Sequence, residues 1–379
     1  MTKILIINYF FGDERVPTGR MVNDICEQLK NKNIKFKVFS SGNKYKNIDT
    51  KKVIKKYEIR SPSFTNFSFI NYILFFISVL FHVHRNNYQK FLILTDPPFL
   101  ILISPLIKFF KKKNEIIYWT MDLYPEALYA SKIFPFQNRF VFKLLRSIKN
   151  YSLRYVDKMI NLSESQNKIL KQYLNTKKII TKIIHPWDLR DIKVKKKNIK
   201  KFLIKYNLTK KKIVLYAGNI GAAHSVDTLI ELINFSEKKN KEFYFIFACI
   251  GKKKQKLLSY LRFNKNVLIT SYFSKRETSY LLNSAFCHLV TLEDNWAGIV
   301  YPSKIFGIIK TKKPIVYIGP NNTDIDKFIR LNKYGITFRN SEKPSKILES
   351  IEIFSKTNKL TRVNSYSKNP KKIVNFILN

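Results

Sequence analysis

The segment IVLYAGNIGAAHSVDTLIELINFSEKKNKEFYFIFACIG (213–251) contains one complete strand–helix–strand unit. It opens on a short apolar run and continues through a loop that carries Gly218 and Gly221. A stretch with apolar residues at helical spacing follows, and the segment ends on a second run of aromatic and aliphatic residues. Two apolar strands joined through a helix indicate neighbouring strands of a parallel sheet.

The same alternation occurs on both sides of this segment. Downstream, the apolar runs NVLITSYF (266–273), CHLVTLE (287–293) and PIVYIGP (314–320) are separated by helical patterns, which predicts five strands for this half. Upstream, KILIINYF (3–10) and IKFKVFS (34–40) flank a helical pattern, and three further strand-like runs follow them. The chain therefore reads as two separate sets of parallel strands.

The alternation lapses between about residues 185 and 212, where the sequence is basic and lacks a clear period. We therefore predict an α/β protein of two facing, doubly wound, Rossmann-like domains at 1–190 and 191–360. Ligands of open parallel sheets bind beyond the carboxyl ends of the strands. The prediction is an interdomain cleft lined by the residues that directly follow each strand.

The charge of the chain is strongly positive. Its 379 residues include 70 Lys and Arg but only 26 Asp and Glu, which gives a net charge of +44. Such an excess fits a polyanionic partner, either a membrane surface or a nucleic acid. A compositional drift toward Lys, Asn and Ile produces the same excess without a partner. No zinc-finger spacing, RNA-binding aromatic signature or basic arm supports nucleic-acid binding.

Cysteine usage and the first residues indicate a cytoplasmic protein. Cys26, Cys249 and Cys287 are far apart in apolar contexts, which predicts reduced, buried thiols. The opening run MTKILIINYF carries one charge and a strand-like pattern without a small-residue cleavage site, so we expect no secretory signal.

Two apolar segments suggest contact with a membrane. In 66–85 the polar residues fall on a narrow stripe of a helix, and 93–113 reads as an apolar helix that ends in a lysine cluster. Each segment fits a helix buried in its own domain, a helix in a membrane surface, or a membrane span. We favour peripheral attachment, because lysine-rich flanks hold anionic headgroups.

The loop of the opening segment has the composition of an anion site. Gly218 and Gly221 allow a tight turn and close backbone approach. We predict that the following helix begins near Ser225, a good N-cap, with Asp227 in its first turn. A glycine-bearing loop before a helix N-terminus can bind an anion. A simple turn is the alternative, because the spacing is not that of a dinucleotide-binding loop.

The stretch NWAGIVYPSKIFGIIK (295–310) holds polar residues where a buried strand is expected to be apolar. We predict a helix that begins at Pro302, with Ser303 and Lys304 in its first turn. A cation at a helix N-terminus is unfavourable by about 0.3–1 kcal/mol unless an anion also binds there. The pattern predicts that Lys304 and free backbone amides bind a diphosphate, and a solvated lysine is the alternative.

In the first half, candidate residues follow two of the strands. Asp122 and Glu126 lie just past a strand of aromatic and β-branched residues, and Gly19 and Arg20 follow the loop after the first strand. Asp122 can accept a proton or bind a hydroxyl-rich substrate, or it can cap a helix before Pro125. The histidines form no zinc framework, and the sequence has no nucleophile elbow and no P-loop.

Taken in order, DPPF (96–99), DLYPE (122–126), GNIGAAHSVDTL (218–229) and PSK (302–304) resemble motifs of the GT-B glycosyltransferases of the family-4 retaining class. The resemblance is strongest to transferases of bacterial surface polysaccharide assembly, of the O-antigen and capsule type, such as N-acetyl-L-fucosamine transferases. It covers nearly the whole chain.

The resemblance implies that the second domain binds a nucleotide diphosphate sugar, that the first binds the acceptor, and that transfer retains the anomeric configuration. It implies no metal and no other cofactor. It also implies a C-terminal helix, within 361–379, that crosses back to the first domain. The usual histidine of the first domain is replaced by the Asp122 loop, which makes Asp122 and Lys304 the catalytic candidates. The acceptor candidates are Gly19, Arg20, Asp122 and Glu126.

The donor-site candidates are Gly218, Asn219, Gly221, His224, Asn295, Gly298, Ser303 and Lys304. Asn219 and His224 occupy positions where many family members carry an Arg and a Lys. Trp296 and Lys304 occupy the positions of two glutamates that many members place around the sugar and ribose. These departures move the expected diphosphate clamp onto Lys304.

The resulting prediction is a peripheral hexosyltransferase at the inner face of the cell membrane. It moves an N-acetylated or deoxy hexose from a UDP-linked donor to a lipid-linked oligosaccharide in surface polysaccharide biosynthesis. The alternative is a basic scaffold derived from the same fold, which binds nucleic acid or membrane without activity.

Overall fold

The chain folds into two compact units. The structure is a computed structural model that describes residues 3–11, 16–41, 57–61, 68–173, 178–190, 192–239, 242–271, 273–357 and 366–379. The first unit comprises Met1–Asp188, Gly298–Tyr301 and Tyr366–Asn379, and the second comprises Leu189–Ala297 and Pro302–Ser365. Residues 358–365, which include the start of the predicted C-terminal segment, lie outside the described residues.

The first unit is built on a parallel seven-stranded sheet with the order β3-β2-β1-β4-β5-β6-β7. Its strands are β1 (Lys3–Ile7), β2 (Lys35–Ser41), β3 (Glu58–Ser61), β4 (Lys90–Ile93), β5 (Glu115–Trp119), β6 (Lys158–Asn161) and β7 (Ile180–Ile183). The sequence pattern does not predict β3 or β7, because β3 (EIRS) has a single apolar residue and the three leading residues of β7 are exposed.

Helices cover both faces of this sheet. They are α1 (Pro17–Asn31), α2 (Ser68–Arg85), α3 (Ser104–Phe110), α4 (Glu126–Ala130), α5 (Arg139–Leu153), α6 (Glu164–Leu170) and the last helix of the chain, α14 (Asn369–Leu378). The predicted helix over 93–113 is wrong in extent. A 3₁₀ turn at Leu100–Ile103 precedes α3, because Pro97 and Pro98 lack the amide hydrogens that an earlier helix needs.

The strand order assigns the helices to their layers. The chain steps from β1 to β2 toward one edge of the sheet, but from β3 through β4 and β5 to β6 it steps toward the other. Right-handed crossovers therefore place α1 on one face and α2, α3 and α5 side by side on the opposite face. In agreement, α1 packs against α14, while α2 packs against α3 and α3 against α5.

The second unit contains a parallel six-stranded sheet with the order β10-β9-β8-β11-β12-β13. Its strands are β8 (Lys212–Asn219), β9 (Phe243–Ile250), β10 (Val267–Thr270), β11 (Cys287–Thr291), β12 (Ile315–Ile318) and β13 (Gly335–Phe338). Five of these strands match the predicted runs. The sixth, β13, is a four-residue strand that the pattern misses.

The helices of the second unit are α7 (Lys196–Lys205), α8 (Asp227–Lys238), α9 (Lys254–Leu261), α10 (Lys275–Ser284), α11 (Ile305–Ile308), α12 (Asp324–Leu331) and α13 (Pro344–Thr357). The predicted N-cap of α8 is wrong by one residue. Val226 precedes the helix, and the Ser225 hydroxyl instead lies 3.0 Å from that of Thr228.

The second sheet is apolar on both faces, as its interior strand β9 shows. Along β9, Phe245 and Phe247 pack into one core cluster, whereas Ile246 and Ala248 pack into the cluster on the other side. This alternation follows from the two-residue period of a strand. Helices on both faces are therefore needed to bury β9.

Two further predictions concern the cysteines and the apolar helices. All three cysteines are buried and free, which confirms the prediction of reduced thiols. Within the described part of the chain, none of the helices has the combined length and apolar character that a membrane span requires.

Candidate functional site

The candidate donor site lies at the carboxyl ends of β8 and β11, where the strand order of the second sheet reverses. This switch point is where open α/β sheets bind their ligands. Gly218 and Asn219 end β8, and Gly221 and His224 follow it directly. Asn295 follows β11, on the short 3₁₀ turn Asp294–Trp296, and its side chain is exposed.

The loop after β8 is held by its neighbour strand. The Ile220 amide donates to the Ile250 carbonyl at 2.7 Å, and the Lys253 amide donates to the Ile220 carbonyl at 3.1 Å. Gly251 adopts a φ of +124°, and a Cβ there would lie 2.7 Å from the Ile220 carbonyl oxygen. A glycine is therefore required at 251, although the sequence analysis does not select it.

His224 is a neutral hydrogen-bonding group in this site. Its Nδ1 lies 2.9 Å from the Thr291 carbonyl oxygen, and because a carbonyl only accepts, Nδ1 carries the hydrogen. Burial, and then the nearby charges of Lys304 and Lys253, lower the pKa of His224 to about 3. His224 therefore remains uncharged at neutral pH, and its Nε2 is suited to accept a hydrogen bond from a hydroxyl group.

The amino group of Lys304 lies beside this histidine. Its Nζ sits over the Tyr216 ring, 3.7 Å from the centroid, and the Tyr216 hydroxyl donates to the Asn219 carbonyl at 2.8 Å. The Lys304 nitrogen is buried and makes no hydrogen bond, although part of the side chain is accessible. Burial lowers the pKa of Lys304 to about 7. The Tyr216 ring face and Cys249 favour the charged amine and so oppose this shift.

The helix that was predicted to present Lys304 is shorter than the sequence pattern indicates. Helix α11 begins at Ile305 and has four residues, with Lys304 at its N-cap, so Pro302 is not the first helical residue. A 3₁₀ turn, Ile309–Thr311, follows it. So short a helix contributes little dipole, and Lys304 acts here through its own charge. Ser303 is partly buried in the turn before α11.

Lys253 is a second cation of the site, and the sequence analysis does not identify it. Its Nζ donates to the His224 carbonyl at 2.6 Å and to Glu293 Oε1 at 2.9 Å. The pair Lys253–Glu293 thus joins the start of α9 to the residues after β11. We call Tyr216, His224, Lys253 and Lys304 the Lys304 site.

Gly298, a predicted donor residue, belongs to the first unit, unlike the rest of that set. It adopts a φ of +74°, and a Cβ there would lie 3.0 Å from Ile169 Cδ1 and 3.2 Å from the Ser165 carbonyl oxygen. In the same segment, the Ile299 carbonyl accepts a hydrogen bond of 3.1 Å from the Leu123 amide. The structure thus brings Gly298 to α6 and to the residues next to Asp122.

Asp122 follows β5 and Asp96 follows β4, close to the switch point of the first sheet. Thr18 Oγ1 lies 3.5 Å from Asp96 Oδ2, and the Tyr9 amide donates to the Asp96 carbonyl at 2.9 Å. Burial raises the pKa of Asp96 to about 6. Asp96 opens the DPPF motif (96–99), but nothing in the sequence pattern marks it as a site residue.

Asp122 is the predicted catalytic residue that water reaches. Desolvation by the surrounding protein, and then the Asp96 carboxylate, raise the pKa of Asp122 to about 7. More than a third of Asp122 remains accessible to water, which reduces this shift. Its carboxyl group therefore titrates between the usual range of an aspartate and neutral pH, as a general base requires.

Glu126 is buried, and both of its carboxylate oxygens are occupied. Oε2 accepts from Lys149 Nζ at 3.2 Å, and Oε1 accepts from the Tyr173 hydroxyl at 2.5 Å. Burial favours the neutral acid, but the Lys149 charge and the Tyr173 hydroxyl hold the pKa of Glu126 below its usual range. This placement gives Glu126 a structural role between α4 and α5, and it leaves Asp122 as the accessible carboxylate of the pair.

Gly19 and Arg20 lie in the first turn of α1, which begins at Pro17. Gly19 is buried and Arg20 is half-buried. Within the described ranges, no group of three or more His, Cys, Asp or Glu side chains is placed to hold a metal ion. Independence from metal ions stays a prediction.

Sequence comparison identifies one distant relative. No protein-family model matches the chain. The probable glycosyltransferase WbjE of Pseudomonas aeruginosa is 20% identical to it over 246 residues, 62% of this chain. The chain spans 58% of the length of that curated relative.

Solved structures match over the whole chain. Anabaena Alr3699/HepE in complex with UDP and glucose has a TM-score of 0.69 at 12% identity, covering 100% of this chain and 96% of that one. WaaG, a glycosyltransferase involved in lipopolysaccharide biosynthesis, has a TM-score of 0.67 at 13% identity, covering 100% and 99%. UDP-GlcNAc 2-epimerase from Neisseria meningitidis, bound to UDP-GlcNAc, has a TM-score of 0.65 at 16% identity, covering 100% of both chains.

The comparisons confirm the predicted fold class. The chain has the GT-B architecture of two doubly wound, Rossmann-like domains. At these identities the similarity shows the fold, which nucleotide-sugar transferases and epimerases share.

Proposed function

We propose that the protein is a retaining glycosyltransferase that uses a nucleotide diphosphate sugar. The observation that carries this proposal is the buried Lys304 amine, which has no hydrogen-bond partner and lies at the switch point of the second sheet. A buried amine without a partner costs stability and is retained where it binds an anion. The GT-B fold makes a diphosphate the expected anion.

The Lys304 site supplies the groups that departure of a nucleoside diphosphate needs. Lys304 and Lys253 meet the negative charge that develops on the leaving oxygen. His224, which is neutral, accepts a hydrogen bond from a hydroxyl group of the donor. We propose that the glycine loop after β8 contacts the diphosphate. A Cβ placed on Gly218 has no atom within 4 Å, so there is space for a ligand next to the backbone at this residue.

The donor and acceptor are the finer parts of the proposal. UDP is the proposed leaving group, and the HepE complexes with UDP and with UDP-glucose support that choice by analogy. The proposed sugar is an N-acetylated or deoxy hexose, as the family resemblance implies. The proposed acceptor is a lipid-linked oligosaccharide of surface polysaccharide assembly, held by the first unit at the inner membrane face. We expect the reaction to need no metal.

Asp122 is the proposed acceptor-side group. Its carboxylate is accessible and its pKa is raised, so it can accept a hydrogen bond or a proton from an acceptor hydroxyl. We expect Asp122→Asn to lower kcat by about a hundredfold or more while donor affinity stays unchanged.

The test is product formation. The purified chain is incubated with single nucleotide sugars and a membrane lipid extract, and glycolipid and free nucleotide are quantified by mass spectrometry. We expect equimolar glycolipid and nucleoside diphosphate, with turnover reduced about 10²–10³-fold by Lys304→Met. The matched control, Lys327→Met, changes an exposed lysine of α12 and retains full turnover.

Other products of the same assay contradict the proposal. Conversion of the free nucleotide sugar to its epimer, without an acceptor, assigns the chain to the epimerase chemistry that the fold also supports. Absence of any product, together with salt-dependent binding of nucleic acid, supports the inactive scaffold instead.

A further inference from the structure

The outer faces of α2, α3 and α5 form one surface of the first unit, because these helices lie side by side on one face of the sheet. We call this surface the helical platform. We propose that the helical platform binds directly to a bilayer that contains anionic lipids. The inference names the membrane-binding surface that the proposed function requires, and it rests on the membrane location included there.

Helix α2 carries apolar residues on two opposite sides. Phe75, Val79 and Val83 face the sheet and are fully buried. Phe69, Ile73, Ile77 and Phe81 recur every fourth residue on the other side and are exposed. A surface helix of a monomeric globular unit is expected to be polar on that side. Among the residues that the structure describes, the outward row of α2 therefore lies open rather than packed in the core.

Helices α3 and α5 extend the same surface. Phe109 and Phe110 of α3 are exposed, and the Phe110 ring packs against His84 of α2, with 5.0 Å between the centroids. On α5, Phe140 and Leu144 are exposed one turn apart. The Ser104 hydroxyl of α3 donates to the Ser152 carbonyl of α5 at 2.8 Å. Helix α2 thus contacts α3 and α3 contacts α5, and exposed apolar side chains on neighbouring helices of this kind mark an interaction surface.

The charges of the platform have a single sign. Residues 68–85, 104–113 and 139–153 contain no Asp or Glu. Lys112 and Lys113 directly follow α3 and are exposed, as is Lys143 on α5. The nearby Asp157 is already paired with Lys108, at 2.9 Å.

A bilayer fits these observations better than a second copy of the chain. Two positively charged platforms repel each other, whereas anionic headgroups attract each lysine near the surface. Apolar side chains that project from interfacial helices enter the boundary between headgroups and acyl chains. The combination of projecting phenyl rings and adjacent lysines is that of a membrane-surface helix.

The experiment is vesicle flotation of the full chain without nucleotide. Vesicles of phosphatidylcholine alone are compared with vesicles that also contain about a third phosphatidylglycerol. We expect binding to the anionic vesicles that weakens with salt. Phe109→Ser/Phe140→Ser removes two rings that are 81% and 74% exposed, and we expect on the order of a tenfold lower partition coefficient.

The matched control is Phe263→Ser/Leu331→Ser, which changes two side chains of the second unit that are 82% and 80% exposed. It leaves vesicle binding unchanged, as does Lys196→Gln/Lys197→Gln on α7, whereas Lys112→Gln/Lys113→Gln lowers it. Melting curves verify that each variant is folded.

Equal losses in Lys112→Gln/Lys113→Gln and Lys196→Gln/Lys197→Gln overturn the proposal, because they show binding by total charge alone. Equal losses in the platform and control variants that remove apolar side chains overturn it as well, because they show no preference for the platform. Unaltered vesicle binding by the Phe109→Ser/Phe140→Ser variant also overturns it. If that variant instead converts a dimer to a monomer in sedimentation, the platform is a self-association surface. UDP binding by the same variants, measured separately, tells a failed platform from a failed donor site.

Discussion

The Lys304 amino nitrogen and the Tyr216 ring are in direct contact, with 3.7 Å between the nitrogen and the ring centroid. This contact is the main stabilisation of the buried charge, because the nitrogen has no hydrogen-bond partner. A cation over an aromatic face gains about 2 kcal/mol when desolvated, which is less than the loss of hydration. Burial of the Lys304 charge therefore costs free energy, and an anion bound at the amine offsets this cost.

Replacement of the amine by an apolar group is expected to stabilise the protein. Lys304→Met keeps most of the side-chain volume and removes the buried nitrogen. We expect the free energy of unfolding to rise by about 1–3 kcal/mol, the usual cost of an unsatisfied buried polar group. Urea unfolding at about pH 6.5 measures it, and a stability loss in the variant contradicts the assignment.

The pH dependence of this gain has a definite sign. The pKa of Lys304 falls from 10.5 to about 7 on folding, so the unfolded chain binds more protons between these values. Wild-type stability therefore rises as the pH increases through this window, and the advantage of Lys304→Met shrinks.

Donor binding is expected to weaken at alkaline pH. A diphosphate favours the charged amine, so binding takes up a proton wherever the free amine is neutral. Below about pH 7 the affinity is constant with respect to this group, and above it the affinity falls by up to tenfold per pH unit. Calorimetry in buffers of different ionisation enthalpy detects this proton uptake. If proton uptake on binding persists in Lys304→Met, another group takes up the proton and the assignment to Lys304 is wrong.

The regular strands of the second sheet could be predicted because their pattern is local. The apolar runs at β8 and β9 are long and lie between clear turn signals, so each strand is defined by its own residues. Strand β13 could not be predicted, since its residues GITF form no continuous apolar run, unlike the equally short β12, and its pairing with β12 is a long-range property. The GT-B fold was accessible because most of the elements have a local signal.

The site was predicted in part, for a related reason. Lys304 was identified, but its predicted place in the first helical turn was wrong: it lies at the N-cap, because the helix begins at Ile305 and not at Pro302. Lys253 was missed since it is the middle residue of three consecutive lysines, and sequence does not tell which of them turns back toward Glu293. Side-chain direction in a loop depends on tertiary contacts.

Removal of the Glu126 charge is expected to destabilise the first unit. Glu126→Gln leaves Lys149 buried without its counterion, and we expect a loss of about 3–5 kcal/mol in the free energy of unfolding. Glu342→Gln breaks the exposed pair with Lys346 and is the control, with a loss below about 0.5 kcal/mol. Unchanged stability with a raised acceptor KM shows instead that Glu126 binds the acceptor.

Gly298 is expected to be required by its backbone conformation. Gly298→Ala places a Cβ at a φ of +74° and 3.0 Å from Ile169 Cδ1, and we expect a loss of about 1–3 kcal/mol in stability. Gly221→Ala is the control, because a Cβ there lies 3.5 Å from the Asn219 side chain, an ordinary contact. Equal melting temperatures for Gly298→Ala and wild type contradict the described conformation.

The central claim is that a nucleotide diphosphate binds at the Lys304 amine, and isothermal titration of UDP into the wild type, Lys304→Met and Lys327→Met tests it most directly. We predict saturable one-to-one binding to the wild type and to Lys327→Met, at equal affinity. We predict a loss of at least tenfold for Lys304→Met, although this variant is the more stable protein. Equal UDP affinity in all three proteins, or no binding to any of them, contradicts the claim.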